Sequence, residues 1–112
     1  MIPLVILAGL ITITPKPMVC FDPCSTTVTL RIVPSEQNRM IILELEAPDS
    51  DYFRRSEMDL TIKTPRVTEI RYPDVPRGNY QFRAILLIDD NGVWKAETDI
   101  KPLKVRGDGD QP

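Results

Sequence analysis

The chain predicts an all-β fold, an antiparallel sandwich of six to seven short strands, on three observations. Apolar residues alternate with polar ones at a period of two, as in Val28, Leu30, Ile32 and again in Ile41, Leu43, Leu45. Eleven prolines and five glycines punctuate the 112 residues, so turn signals recur about every 8 to 12 residues. The stretch from Val75 to Val105 reads as a hairpin, with a Pro/Gly corner feeding an aromatic strand and a Gly-containing turn sending the chain back. Helical periodicity fits none of these runs.

Ile2 to Ile13 is almost wholly apolar, the length of a signal-peptide core and short for a membrane span. The reading adopted is an export signal; a short membrane anchor and an ordinary buried strand are the alternatives. Thr14-Pro15-Lys16-Pro17 reads as an extended linker, because proline turns its predecessor away from helix. Cys20 and Cys24 follow, and in an exported protein two thiols this close meet as a disulfide. Redox chemistry at this pair lacks the two-residue spacing and the helix that would lower a thiol pKa.

Four strands then come in succession. Thr26–Val33 turns Val28, Leu30 and Ile32 to one face, and Met40–Ala47 does the same with Ile41, Leu43, Leu45 and Ala47. Tyr52–Ile62 offers Met58, Leu60 and Ile62, and Val67–Tyr72 is a short strand before the Pro73–Gly78 corner. Residues 1–19 are thus signal or anchor plus linker, 20–105 the sandwich domain, and 106–112 a disordered tail. The expected core includes Leu30, Leu43, Leu45, Leu60, Ile70, Tyr80, Phe82, Ala84 and Leu86.

In the hairpin, Tyr80, Phe82, Ala84, Leu86 and Ile88 share a face. A two-residue Asn91-Gly92 turn would set Ile88 opposite Lys95 and Leu86 opposite Glu97, with charges toward the core. A three-residue loop, Asp90-Asn91-Gly92, sets Ile88 opposite Trp94 and Leu86 opposite Ala96, and is the expected register.

Composition narrows the function. Net charge is −2, with no basic surface to attract nucleic acid. Histidine is absent, which removes the commonest general base and neutral metal ligand. Ser25 and Ser56 have no base to activate them, and no Gly-rich phosphate loop is present. The expectation is a chain that is not an enzyme and takes no cofactor.

Val75-Pro76-Arg77-Gly78-Asn79-Tyr80-Gln81-Phe82 resembles the Leu-Pro-x-Gly-x-Tyr corner of bacterial immunoglobulin-like and fibronectin type III-like domains, over roughly residues 26–105. That resemblance implies a seven-stranded antiparallel immunoglobulin-like sandwich, with the Tyr80 hydroxyl tied to upstream backbone. Asp49-Ser50-Asp51-Tyr52-Phe53-Arg54-Arg55-Ser56 is similar to a segment met in exported bacterial proteins of unassigned function. Together they imply a non-catalytic interaction or spacer domain of a bacterial envelope, exported to periplasm, surface or medium. Its expected partner is a protein or envelope component, or a second copy, and not nucleic acid.

Four candidate sites follow. Asp49 and Asp51 in one loop, with Asp89 and Asp90 in another, would meet at one end of an immunoglobulin-like sandwich and offer oxygen ligands to calcium; turn capping is the plainer role. That makes a calcium-dependent binding module the alternative function. Tyr52, Arg54 and Arg55 form an aromatic–basic contact candidate, or one ring simply anchors the core. Ile85 and Leu87 point away from the expected core face, as do Met40 and Ile42, and form an outward patch if contiguous. Arg106-Gly107-Asp108 matches the integrin-recognition tripeptide, in a tail whose composition produces it by chance.

Overall fold

The computed structural model describes residues 9–107, and everything below concerns these residues. They form eight strands: β1 (Ile11–Lys16), β2 (Val19–Phe21), β3 (Cys24–Ile32), β4 (Asn38–Glu46), β5 (Phe53–Asp59), β6 (Val67–Val75), β7 (Gly78–Asp90) and β8 (Val93–Arg106). A three-stranded sheet runs in the order β1-β3-β6 and a five-stranded sheet in the order β2-β8-β7-β4-β5. All pairings are antiparallel except β2 with β8, which is parallel. The all-β expectation holds; the wholly antiparallel arrangement of six to seven strands does not, since the sheets are mixed and the strands number eight among the described residues.

Alternation decides which side chains enter the core. Ile11 and Ile13 of β1, Val28 and Leu30 of β3, Ile41, Leu43 and Leu45 of β4, and Phe82, Ala84 and Leu86 of β7 are buried between the two sheets. Of the expected core residues all are buried but Ile70, which is half-buried against the core's edge. Ile62 departs further: β5 ends at Asp59, a turn closes from Thr61 to Thr64, and Ile62 faces water.

β1 occupies the end of the apolar stretch read as a signal or anchor. Its register against β3 runs from Ile11↔Ile32 to Lys16↔Thr27, so the β-structure starts well before the domain boundary expected at residue 20, and the supposed linker Thr14–Lys16 is strand. Met1 to Ala8 lie outside the described residues. At the other end β8 continues through Arg106 and Gly107 is buried, so these two residues belong to the fold and not to the tail expected from residue 106; residues 108–112 lie outside the description.

The β7–β8 turn corrects the expected register. Asp90 pairs with Val93, Ile88 with Lys95 and Leu86 with Glu97. Asn91 (φ 53°) and Gly92 (φ 89°) are both left-handed, the requirement of a two-residue primed turn that matches strand twist. The penalty for charged inward positions is small because Lys95 is exposed and Glu97 and Asp99 are only half-buried, beside the β1 edge of the small sheet. Asp99 accepts the Ile13 N–H at 2.8 Å and binds the Lys101 ammonium at 2.8 Å.

Two local devices tie the sheets together. Cys20 and Cys24 form the expected disulfide, which links β2 of the large sheet to β3 of the small one. The Tyr80 hydroxyl donates to the Pro76 carbonyl at 2.6 Å, pinning the corner that leads into β7. A Cβ on Gly78 would lie 3.2 Å from the Tyr80 ring, so glycine lets the ring settle there. Tyr80→Phe should lower unfolding free energy by about 1–2 kcal/mol in urea denaturation, because the Pro76 carbonyl loses its partner. A change below about 0.3 kcal/mol would show the corner bond to be redundant.

Candidate functional site

The acidic residues do not converge. β4 and β7 are antiparallel, with Glu46 beside Gln81 and Asn38 beside Ile88. The β4–β5 loop carrying Asp49 and Asp51 therefore sits at the opposite end of the sheet from the β7–β8 turn carrying Asp89 and Asp90. The latter two serve their own turn. Asp89 accepts the Gly92 N–H at 2.8 Å and faces Arg39 at 3.8 Å. Asp90 binds Lys95 at 2.7 Å and accepts from Gln37 at 3.0 Å, and the hydrogen bond from Lys95, with its charge, holds the Asp90 carboxyl below its ordinary pKa. Among the described residues no group of three or more Cys, Asp or Glu could hold a metal ion, so the calcium expectation is overturned by the sheet order.

The Tyr52–Arg55 run divides by parity. Tyr52 packs edge-on against Tyr80 with ring centroids 5.1 Å apart, and Arg54 lies over the Tyr52 ring at 5.2 Å. Arg55 binds Glu57 at 2.7 Å on the other face, where Phe53 is exposed. Tyr72 stacks edge-on against Phe82 nearby, its hydroxyl near Ser56 without a hydrogen bond of normal geometry. Burial is the main cause that raises the pKa of Tyr52, Tyr72 and Tyr80; the Tyr52 phenol adds to the rise in the other two, and the Arg54 cation opposes it in all three. These rings are neutral packing elements at ordinary pH. Arg106 and Gly107 belong to the folded domain rather than a free tail, and Asp108 lies outside the described residues.

The outward face of the large sheet is where candidate residues do come together. The registers place them in rows across β5, β4, β7 and β8. One row is Asp59, Met40, Leu87, Ala96; the next is Glu57, Ile42, Ile85, Thr98; the third is Arg55, Glu44, Arg83, Ile100; the fourth is Phe53, Glu46, Gln81, Pro102. Trp94 flanks the first row opposite Asp89 and is 62% exposed. Met40, Ile42, Ile85 and Leu87 are half-buried by their strand neighbours alone, since no described element packs over this face. Arg83 and Glu44 approach to 3.8 Å and close the apolar rows at one end.

Parity along β7 was enough to place Ile85 and Leu87 outward. Ala96, Trp94 and Ile100 were missed as members of the patch because the slipped register turned β8 over. The signal that places them correctly was present, since Asn-Gly is the dipeptide of a two-residue primed turn.

No family model matches the chain, and no curated protein matches it. Among solved structures it is similar to the superoxide reductase (neelaredoxin) from Ignicoccus hospitalis, at 13% identity, with 93% of this chain and 88% of that one covered and a TM-score of 0.69. At that identity the likeness is one of fold. It corrects the immunoglobulin-like and fibronectin type III-like assignment, which the mixed sheets already strain. It also overturns the fold-level case for a non-catalytic spacer and for a chain that is no enzyme, because the structure that shares this architecture is named for an enzyme.

Proposed function

We propose that this protein works by association, with the outward face of β5-β4-β7-β8 as its surface for another protein. The supporting observation is the contiguity of Met40, Ile42, Ile85, Leu87 and Ala96, with Trp94 and Ile100 beside them, on a face that no described element covers. Several hundred Å² of apolar surface left in water costs several kcal/mol at about 25 cal/mol per Å², which is free energy available to a partner. The partner's chemistry follows from the rows: flat, apolar at its centre, and bearing a base and an acid where Glu44 and Arg83 stand.

The activity in the similar structure's name needs a one-electron redox centre, which ordinary side chains do not provide and which imidazole or thiolate ligands hold. This chain has no histidine, and both its cysteines are in the disulfide. The residues present do not fit such a centre, and no step is derived through one.

Ile85→Glu combined with Leu87→Glu tests the face. The dilute wild-type protein should bind an anilinonaphthalene sulfonate dye, and the double variant should lose that binding while keeping its β-sheet circular dichroism and cooperative unfolding. Equal dye binding by the two proteins would count against this surface. Loss of cooperative unfolding in the variant would mean that the face is internal to the domain.

A further inference from the structure

We infer that the occupant of this face is a second copy of the same chain, packed sheet to sheet about a two-fold axis that runs along the strands between β4 and β7. This rests on the association reading above and adds the partner's identity to it.

The registers allow the pairing to be worked out. Such an axis lays β4 over the partner's β7 and β5 over its β8 while keeping each row opposite itself. Met40 then meets the second copy's Leu87, and Ile42 meets its Ile85. Glu44 meets Arg83, Glu46 meets Gln81, and Phe53 meets Pro102. No like charges oppose one another. An axis across the strands at the Ile42–Ile85 row would instead invert the rows and set Met40 and Leu87 against the row of Glu44 and Arg83, burying charge on apolar surface. Aligned packing of two sheets is a standard arrangement and keeps strand directions within about 30°.

Size supports the same occupant. Four strands about 4.8 Å apart and four rows about 6.8 Å apart give a face on the order of 500 Å² per copy. Two copies together therefore bury about 1,000 Å², the size a specific interface has to clear.

The experiment is a charge exchange read by sedimentation. Wild type should show a concentration-dependent dimer, and dye binding should fall as the dimer forms. Glu44→Arg alone and Arg83→Glu alone, each checked for wild-type circular dichroism, should each weaken the dimer at least about tenfold. An equimolar mixture of the two variants should recover dimer, because one copy then carries two arginines opposite two glutamates. Ile85→Glu with Leu87→Glu should abolish the dimer, an arm that stands even if Glu44→Arg fails to fold.

Several outcomes would overturn the inference. A wild type monomeric to about 100 μM, with dye binding still lost in the Ile85/Leu87 variant, removes the second copy and leaves the association face standing. A dimer sensitive to Ile85 and Leu87 but without recovery in the mixture removes this axis. A dimer indifferent to all four variants removes both readings. Dye binding that appears only in a chain lacking residues 1–8 gives the face to the chain's own first residues, and removes both as well.

Discussion

A chain that starts at residue 20 should fail to fold. Its loss includes Ile11 and Ile13, both buried, and Pro15, whose side chain is fully buried. It also includes the β1–β3 pairing from Ile11↔Ile32 to Lys16↔Thr27. Further losses are the Val33 N–H bond to the Leu10 carbonyl at 3.0 Å, the Asp99 carboxylate bond to the Ile13 N–H, and the Thr26 hydroxyl bond to the Pro17 carbonyl at 2.9 Å. Burying each large aliphatic side chain is worth about 1.5–3 kcal/mol. Removing the strand also exposes the flanks of Val28 and Leu30 beside it and leaves one edge of β3 unpaired. The total is on the order of 5–10 kcal/mol, comparable with the whole stability of a domain. Circular dichroism and urea unfolding of the truncated chain would show no cooperative transition. A transition within about 2 kcal/mol of the full chain's would mean that β1 is dispensable.

How much of this was legible from sequence depends on which interactions are local. The inward faces of β3, β4 and β7 could be read directly, because alternation at Val28-Leu30-Ile32, Ile41-Leu43-Leu45 and Phe82-Ala84-Leu86 reports burial on one side. β1 was hidden behind the continuous apolar run before it, although Ile11-Thr12-Ile13-Thr14 has the strand period. β2 is three residues long and pairs in parallel with the far end of the chain, which no local pattern announces. The acidic loops were misplaced for a related reason: which loops share an end depends on sheet order, and that order was borrowed from a different fold. On the candidate face, β4 and β7 gave Met40, Ile42, Ile85 and Leu87 by parity. The β8 contribution turned on one residue of turn length. Charged Lys95, Glu97 and Asp99 argued against the true register only under the assumption that β8 is covered along its whole length, and it is not.

Phe82→Ala should be the most damaging single substitution on β7. Phe82 is fully buried at the middle of the large sheet, between Leu45 of β4 and Lys101 of β8, with its ring 5.2 Å from that of Tyr72. Truncation removes the ring's transfer free energy, leaves a cavity the sheets cannot close, and deletes an edge-to-face aromatic contact. A loss of about 3–5 kcal/mol follows, a large part of a domain's stability. Leu87→Ala supplies the internal control, because Leu87 lies on the same strand with opposite parity and its side chain is half-buried by neighbours alone. Measured at low protein concentration, where association does not contribute, it should cost no more than about 1–1.5 kcal/mol. Urea denaturation of the two variants thus reads the two faces of one strand separately. Comparable losses at both positions would mean that a second layer covers the outward face within the chain itself, and the association surface would have to be abandoned with it.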